Sequence, residues 1–274
     1  MTDLWNDLLA CLELRADPSV TEPTTAFEGS NQQLTYHRLF GGQLLAQFVR
    51  AAALSHPEKA VRSLHVQFPR AGRSEEPVRY EVTRHHEGGT FATSTIIARQ
   101  TPGVLATASV SLHTVEDGPD HQTAFDVPSV PGPEHRAELE LIPWETRSIT
   151  DLDTPKAEPP EYDLWMRIAS VAPELTPALT AYATDLSLIG TGLRRLEGIS
   201  QLDAGSAFTS AVTSHTVWFH RPFPSDGWLL LRQHSPLLAH GRCFGRGDIL
   251  AEDGTLVASY AQEALVRFRK SSAT

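Results

Sequence analysis

Two polar residues stand inside segments that are otherwise apolar, Asp185 in AYATDLSLIG and Gln262 in VASYAQEALV, and the triplet Gly41-Gly42-Gln43 opens the stretch LFGGQLLAQFVRAAAL. A lone buried carboxylate costs several kcal/mol to desolvate unless it is paired, so its pKa rises and it becomes a general base for a proton lost near neutrality. The plainer alternative for Asp185 is a capping or solvated side chain, and for Gln262 an amide satisfied by backbone at a strand edge. Two adjacent glycines at a helix start permit close helix packing. The same geometry also leaves N–H groups pointing at an anion or a carbonyl oxygen.

Other chemistries lack their residues. The patterns GxSxG, HExxH, the phosphate loop and GxGxxG are absent, which sets aside the usual serine hydrolases, zincins, P-loop enzymes and Rossmann dehydrogenases. His85 and His86 are adjacent rather than spaced for one metal, and His215 and His220 fall on opposite faces of a strand. The histidines therefore read as satisfied or surface side chains, and no metal site is expected. Arg246-Gly247-Asp248 lies in an expected strand and is treated as a coincidental adhesion-like tripeptide. Cys11 and Cys243 form neither a CxxC pair nor a disulfide framework. The net charge of −10 repels phosphate backbones and argues against a nucleic-acid partner. The start, MTDLWNDLLACLEL, is acidic where a secretory leader needs basic residues, and no apolar run approaches the ~18 residues of a membrane span. A cytoplasmic protein is expected.

The elements that must hold these residues come in two similar sets. In the first flank the apolar spacing over 39–54 predicts a helix ended by Pro57, followed by strands VRSLHVQF, PVRYEVTRHH, TFATSTIIARQ and GVLATASVSLH. In the second, PALTAYATDLSLIG (177–190) predicts a helix, followed by strands HTVWFHR, WLLLRQH, GRCFGRGDIL and TLVASYAQEALVRF. Between the flanks, eight of the 19 prolines fall within 119–160 together with nine acidic residues, which reads as a linker or covering loop. Residues 61–74 laid on 212–225 match at six of 14 positions, a constant offset of 151 that supports a local duplication.

Four blocks, RLFGGQLLAQ (38–47), HVQFPRAGRSEEPVRYEV (65–82), HTVWFHRPF (215–223) and DGTLVASYAQEALVR (253–267), resemble the signature blocks of the acyl-CoA thioesterase II family, the TesB-like double-hotdog enzymes. The resemblance spans roughly residues 25–115 and 160–270. It implies an α+β fold, a tandem double hotdog in which two long helices are each wrapped by an antiparallel sheet. The expected divisions are an N-terminal helical extension (1–24), a first unit (25–115), a Pro-rich acidic linker (116–164) and a second unit (165–270). It also implies hydrolysis of medium- to long-chain acyl-CoA to free acid and CoA without metal or prosthetic group, and association into homo-oligomers.

The family holds and activates one water with an Asp, a Thr or Ser, and a Gln. By the resemblance the Asp falls on Asp185 and the Gln on Gln262, whereas the hydroxyl position falls on Val212. Strand alternation puts Ser214 on the same face as Val212, so Ser214 is the expected substitute, with Thr213 taking its place only if a bulge re-aims it. The arginine pair common in the first unit is replaced by Ser94-Thr95. Gly41, Gly42 and Gln43 are expected to bind substrate at the helix start, and Arg221 to meet the anionic end of CoA, with Arg70, Arg73 and Arg242 as unranked companions. A hotdog hydratase requires a His five residues after its Asp, and Asp185 is followed there by Gly190. The remaining rival is a non-catalytic acyl-CoA binding protein of the same fold.

Overall fold

The chain enters through α1 (Leu4–Cys11), β1 (Arg15–Ala16) and β2 (Thr24–Gly29) and then reaches α2 (Gly41–Ser55), the helix that the apolar spacing over 39–54 predicts. The computed structural model describes residues 4–34, 38–222 and 227–269. Ser225, matched to Ser74 in the repeat, and Phe223, which closes HTVWFHRPF, lie outside the described residues, as does residue 270. α2 stops at His56 because the residue before a proline is driven out of helical geometry. It is buried nearly all round, with Leu44, Leu45, Phe48, Val49 and Ala52 in the core. Such a helix must have partners on both sides.

One partner is the sheet. Strands β3 (Ala60–Gln67), β4 (Val78–Glu87), β5 (Phe91–Gln100) and β6 (Gly103–His113) follow α2. Along β5, residues Ala92, Ser94, Ile96, Ala98 and Gln100 are buried and their neighbours are not, the period of a strand that covers a helix with one face only. The second flank gives β7 (Glu145–Arg147), β8 (Glu161–Arg167), α3 (Thr176–Thr184), α4 (Leu188–Leu193), β9 (Phe208–Phe219), β10 (Leu229–Ala239), β11 (Arg242–Ala251) and β12 (Leu256–Phe268). The other partner of α2 is α3.

Among the described residues the twelve strands form one antiparallel sheet in the order β1-β2-β4-β5-β6-β3-β9-β12-β11-β10-β8-β7. Read outward from the middle, every strand of the first half has its counterpart six strands later. Where β3 meets β9, His65 stands opposite Thr216. Those residues are 151 apart, the offset of the sequence repeat.

Two expectations need revision. The helix expected over 177–190 is broken into α3 and α4 at Asp185–Ser187. The apolar residues Leu186, Leu188 and Ile189 continue the pattern across the break, so periodicity does not register it. The segment read as a linker also contributes structure: β7 and the first residues of β8 lie inside it, and Ile142, Trp144 and Leu152 are buried in the main core. Its prolines flank these strands rather than interrupt them. Phe125, Val127 and Val130 cover a separate apolar cluster of Trp165, Trp228, Leu230 and Leu250. Among the described residues no helix is long and apolar enough to cross a membrane.

Candidate active site

Asp185 stands where α3 ends, with its carboxyl held against the first turn of α2. A Cβ on Gly41 would come 2.5 Å from Asp185 Oδ2, and one on Gly42 would strike the backbone oxygen of Tyr182. Only glycine lets the two helices meet this closely. The two readings of the glycine pair thus meet in one contact: the helices pack tightly, and Gly42 N–H donates to the Asp185 carboxylate. Burial outweighs that hydrogen bond. With its side chain 3% exposed, Asp185 has its pKa pushed up to about 7.

β9 and β12 set His215 directly opposite Gln262, and both side chains are buried. His215 Nδ1 lies 2.9 Å from Gln262 Oε1, and Nε2 lies 2.9 Å from Thr184 Oγ1. Its ring stacks on Tyr260 at 6.1 Å between centroids and 11° between planes. Burial pulls the His215 pKa down to about 4, so the ring is neutral around pH 7. The 3.7 Å separation between Nδ1 and Asp185 Oδ1 is therefore neither an ion pair nor a hydrogen bond. Near this nitrogen stand two groups with a buried atom that has no hydrogen-bond partner, Asp185 at Oδ1 and Gln262 at Nε2.

Asp185 also lines a cavity of about 660 Å³ whose walls include Leu39, Phe40, Leu44, Phe68, Ile189 and Leu265. Gly41 and Val212 line it as well, and Arg38, Arg70 and Glu140 bring charge to it. An apolar chamber with one perturbed carboxylate, beside the positive end of a 15-residue helix, suits an apolar substrate that develops negative charge as it reacts.

The structure brings Asp185, Gly41 and Gly42 into contact, joins Gln262 to Asp185 only through His215, and leaves three other expected residues elsewhere. Ser214 is displaced by a bulge: Val212 pairs with Ala264 and Ser214 with Glu263, leaving Thr213 as the extra residue. The bulge cancels the alternation that put Ser214 and Val212 on one face, and Ser214 stands on the face opposite His215 and Gln262. Thr213 does line the cavity, but its hydroxyl donates to the Glu263 backbone oxygen at 3.1 Å. Gln43 is committed to a buried network, bonding Asn31 Oδ1 at 2.8 Å and Gln47 Oε1 at 3.1 Å. Arg221 lines a different cavity, where Asp120 and Gln122 engage its guanidinium. Of its unranked companions, Arg70 is the one on the Asp185 cavity.

Sequence reasoning missed His215, Thr184 and Arg38. The signal that singled out Gln262, a polar residue among apolar ones, is missing at His215 because Ser214 and Thr216 flank it.

Known proteins share both the sequence and the fold of this chain. The family model described as the acyl-CoA thioesterase N-terminal domain matches residues 32–113, and that of the acyl-CoA thioesterase C-terminal domain matches residues 113–266. Acyl-CoA thioesterase 2 of Haemophilus influenzae is 29% identical over 98% of this chain and 99% of its own length. The mouse acyl-coenzyme A thioesterase 8 is 29% identical over 86% of this chain and 82% of its own. The crystal structure of an acyl-CoA thioesterase II, TesB2, from Mycobacterium marinum superposes with a TM-score of 0.78 at 29% identity, covering 96% of this chain and 99% of that one. A protein of hot dog fold from Alicyclobacillus acidocaldarius superposes at 0.72 with 20% identity over 96% of this chain and 98% of its own, a likeness of fold. With both domain models matched in order and relatives aligned nearly end to end, the chain belongs to the acyl-CoA thioesterase II family of hotdog-fold proteins.

Proposed function

We propose that the protein hydrolyses medium- to long-chain acyl-CoA to free acid and CoA, with Asp185 as general base. The observation that carries this reading is the carboxylate itself: buried, with Oδ1 free of any hydrogen-bond partner, raised to about pH 7, and on the wall of an apolar cavity. Asp185 and Gln262 hold one water. Asp185 takes its proton as the oxygen attacks the thioester carbonyl carbon. The oxyanion collapses, the carbon–sulfur bond breaks, and the sulfur leaves with the proton that Asp185 had taken. The first turn of α2, present on the cavity wall through Gly41, favours the oxyanion. Arg38 and Arg70 are the cations at this cavity for the anionic CoA moiety. No metal or prosthetic group enters this scheme.

The fold reading that accompanies it is a tandem double hotdog. Its boundaries are those expected from the sequence, residues 25–115 and 165–270, with β7 and β8 added ahead of the second unit. The strand order, which repeats after six strands, supports it. A cytoplasmic location and a homo-oligomeric form belong to the same reading.

One observation favours a second reading. Val212 lines the cavity at the position where the family hydroxyl falls, which suits an acyl-CoA binding protein that has lost turnover. A thiol-release assay over a series of acyl chain lengths, run beside a binding titration, separates the two. Release of CoA with a preference for medium or long chains supports the hydrolase. Tight binding without release supports the binding protein.

A further inference from the structure

The hydrogen bonds around His215 have a direction, and it can be read from one end. The starting point is Ala181 O, a backbone carbonyl near the C-terminal end of α3. Thr184 Oγ1 lies 2.7 Å from it. A carbonyl can only accept, so the single hydroxyl proton of Thr184 goes to Ala181 O. The same Thr184 oxygen is 2.9 Å from His215 Nε2 and can then only accept there, so Nε2 carries the ring proton. A neutral imidazole has one N–H, which leaves Nδ1 as a bare acceptor.

We infer that His215 is a positioning residue which fixes the polarity of the Gln262 amide, so that Gln262 presents its oxygen rather than its NH₂ to the catalytic water. The amide atom 2.9 Å from Nδ1 must be a donor, and a half-turn of the amide about its last bond puts NH₂ there. The amide oxygen then takes the direction that has no protein partner, in the neighbourhood of the unpartnered Asp185 Oδ1. Two acceptors now face the water. It donates one proton to each and turns its lone pairs away from both, toward the thioester carbon. With the opposite polarity the NH₂ group would bind a lone pair and compete with the attack. Tyr260, stacked on the imidazole, keeps the ring plane in place for this relay.

This inference rests on the hydrolytic reading of Asp185 and Gln262, and two measurements keep their failures apart. The first is the His215 tautomer, read from ¹⁵N shifts of histidine-labelled protein with His215→Gln supplying the assignment. A protonated Nε2 and a bare Nδ1 are expected, and a protonated Nδ1 overturns the inference. The second is kinetic. His215→Gln keeps a group against Thr184 but removes the acceptor for Gln262. It should lower kcat on the order of tenfold to a thousandfold with KM little changed. His215→Asn restores an acceptor where Nδ1 stood and should recover much of that loss. Combined with Gln262→Ala, His215→Gln should add nothing further. Wild-type kcat in His215→Gln, or losses that multiply in the double variant, overturn the positioning role. Wild-type kcat in Gln262→Ala instead overturns the reading of the site itself.

Discussion

At the scale of single residues, the site is defined by how burial sets two protonation states. Asp185 is raised to about 7 and His215 lowered to about 4, both by desolvation, so at neutral pH the carboxyl is poised between its forms beside a neutral ring. A general base must be deprotonated, so kcat should rise with pH through about 7 and level off above it, as a pH–rate profile would record. Stability should move the other way. A carboxyl whose folded pKa exceeds its unfolded 3.8 stabilises the fold fully below 3.8, and that contribution is lost as pH rises through about 7. Denaturant titrations should find Asp185→Asn gaining on the wild type across this window, by an amount of the order of a few kcal/mol above pH 7. His215 acts in the opposite sense, with its contribution present above 6.5 and lost as pH falls toward 4. The bulge yields another pair of outcomes. Ser214→Ala should leave kcat unchanged because its hydroxyl is on the far face of the sheet. Val212→Thr puts a hydroxyl on the cavity wall and should raise kcat, on the order of tenfold, in the same thiol-release assay.

At the scale of elements, the approach of α2 to α3 builds the site, and glycine makes it possible. Gly42→Ala drives a methyl group into the Tyr182 carbonyl, a backbone atom that cannot swing aside. It should cost about 1–3 kcal/mol and lower Tm by several degrees in a thermal melt. Gly41→Ala meets the Asp185 carboxylate first and should lower kcat more than stability. The helix-then-strands order was legible in the sequence because sheet residues such as Ala92, Ile96 and Ala98 alternate with half-buried ones, while the α2 residues recur every three or four. Asp185 and Gln262 were legible as polar residues in apolar surroundings. The bulge at Thr213 was not: one inserted residue changes neither composition nor propensity, yet it reverses every side chain beyond it. The break after Thr184 was hidden for a related reason, since Leu186 and Leu188 continue an apolar pattern through a turn that is no longer helical. Gln43 misled because a polar residue at a helix start looks the same whether it meets a ligand or, as here, Asn31 and Gln47.

At the scale of the molecule, the two halves of the sheet correspond, but their chemistry does not. Leu64 and Val110 face each other across β3 and β6 as His215 and Gln262 do across β9 and β12, and both are buried. The first half thus carries hydrocarbon where the second carries its polar pair, and a non-hydrolysable acyl-CoA analogue should titrate one site per chain. In the proposed mechanism that site depends on one carboxylate, Asp185. The most direct measurement is CoA release by Asp185→Asn beside the wild type above pH 8, where the wild-type carboxyl is ionised. The amide keeps the shape and packing but cannot take the proton of the water, so kcat should fall on the order of a thousandfold or more with the fold intact. Release of CoA by Asp185→Asn at the wild-type rate would contradict the account.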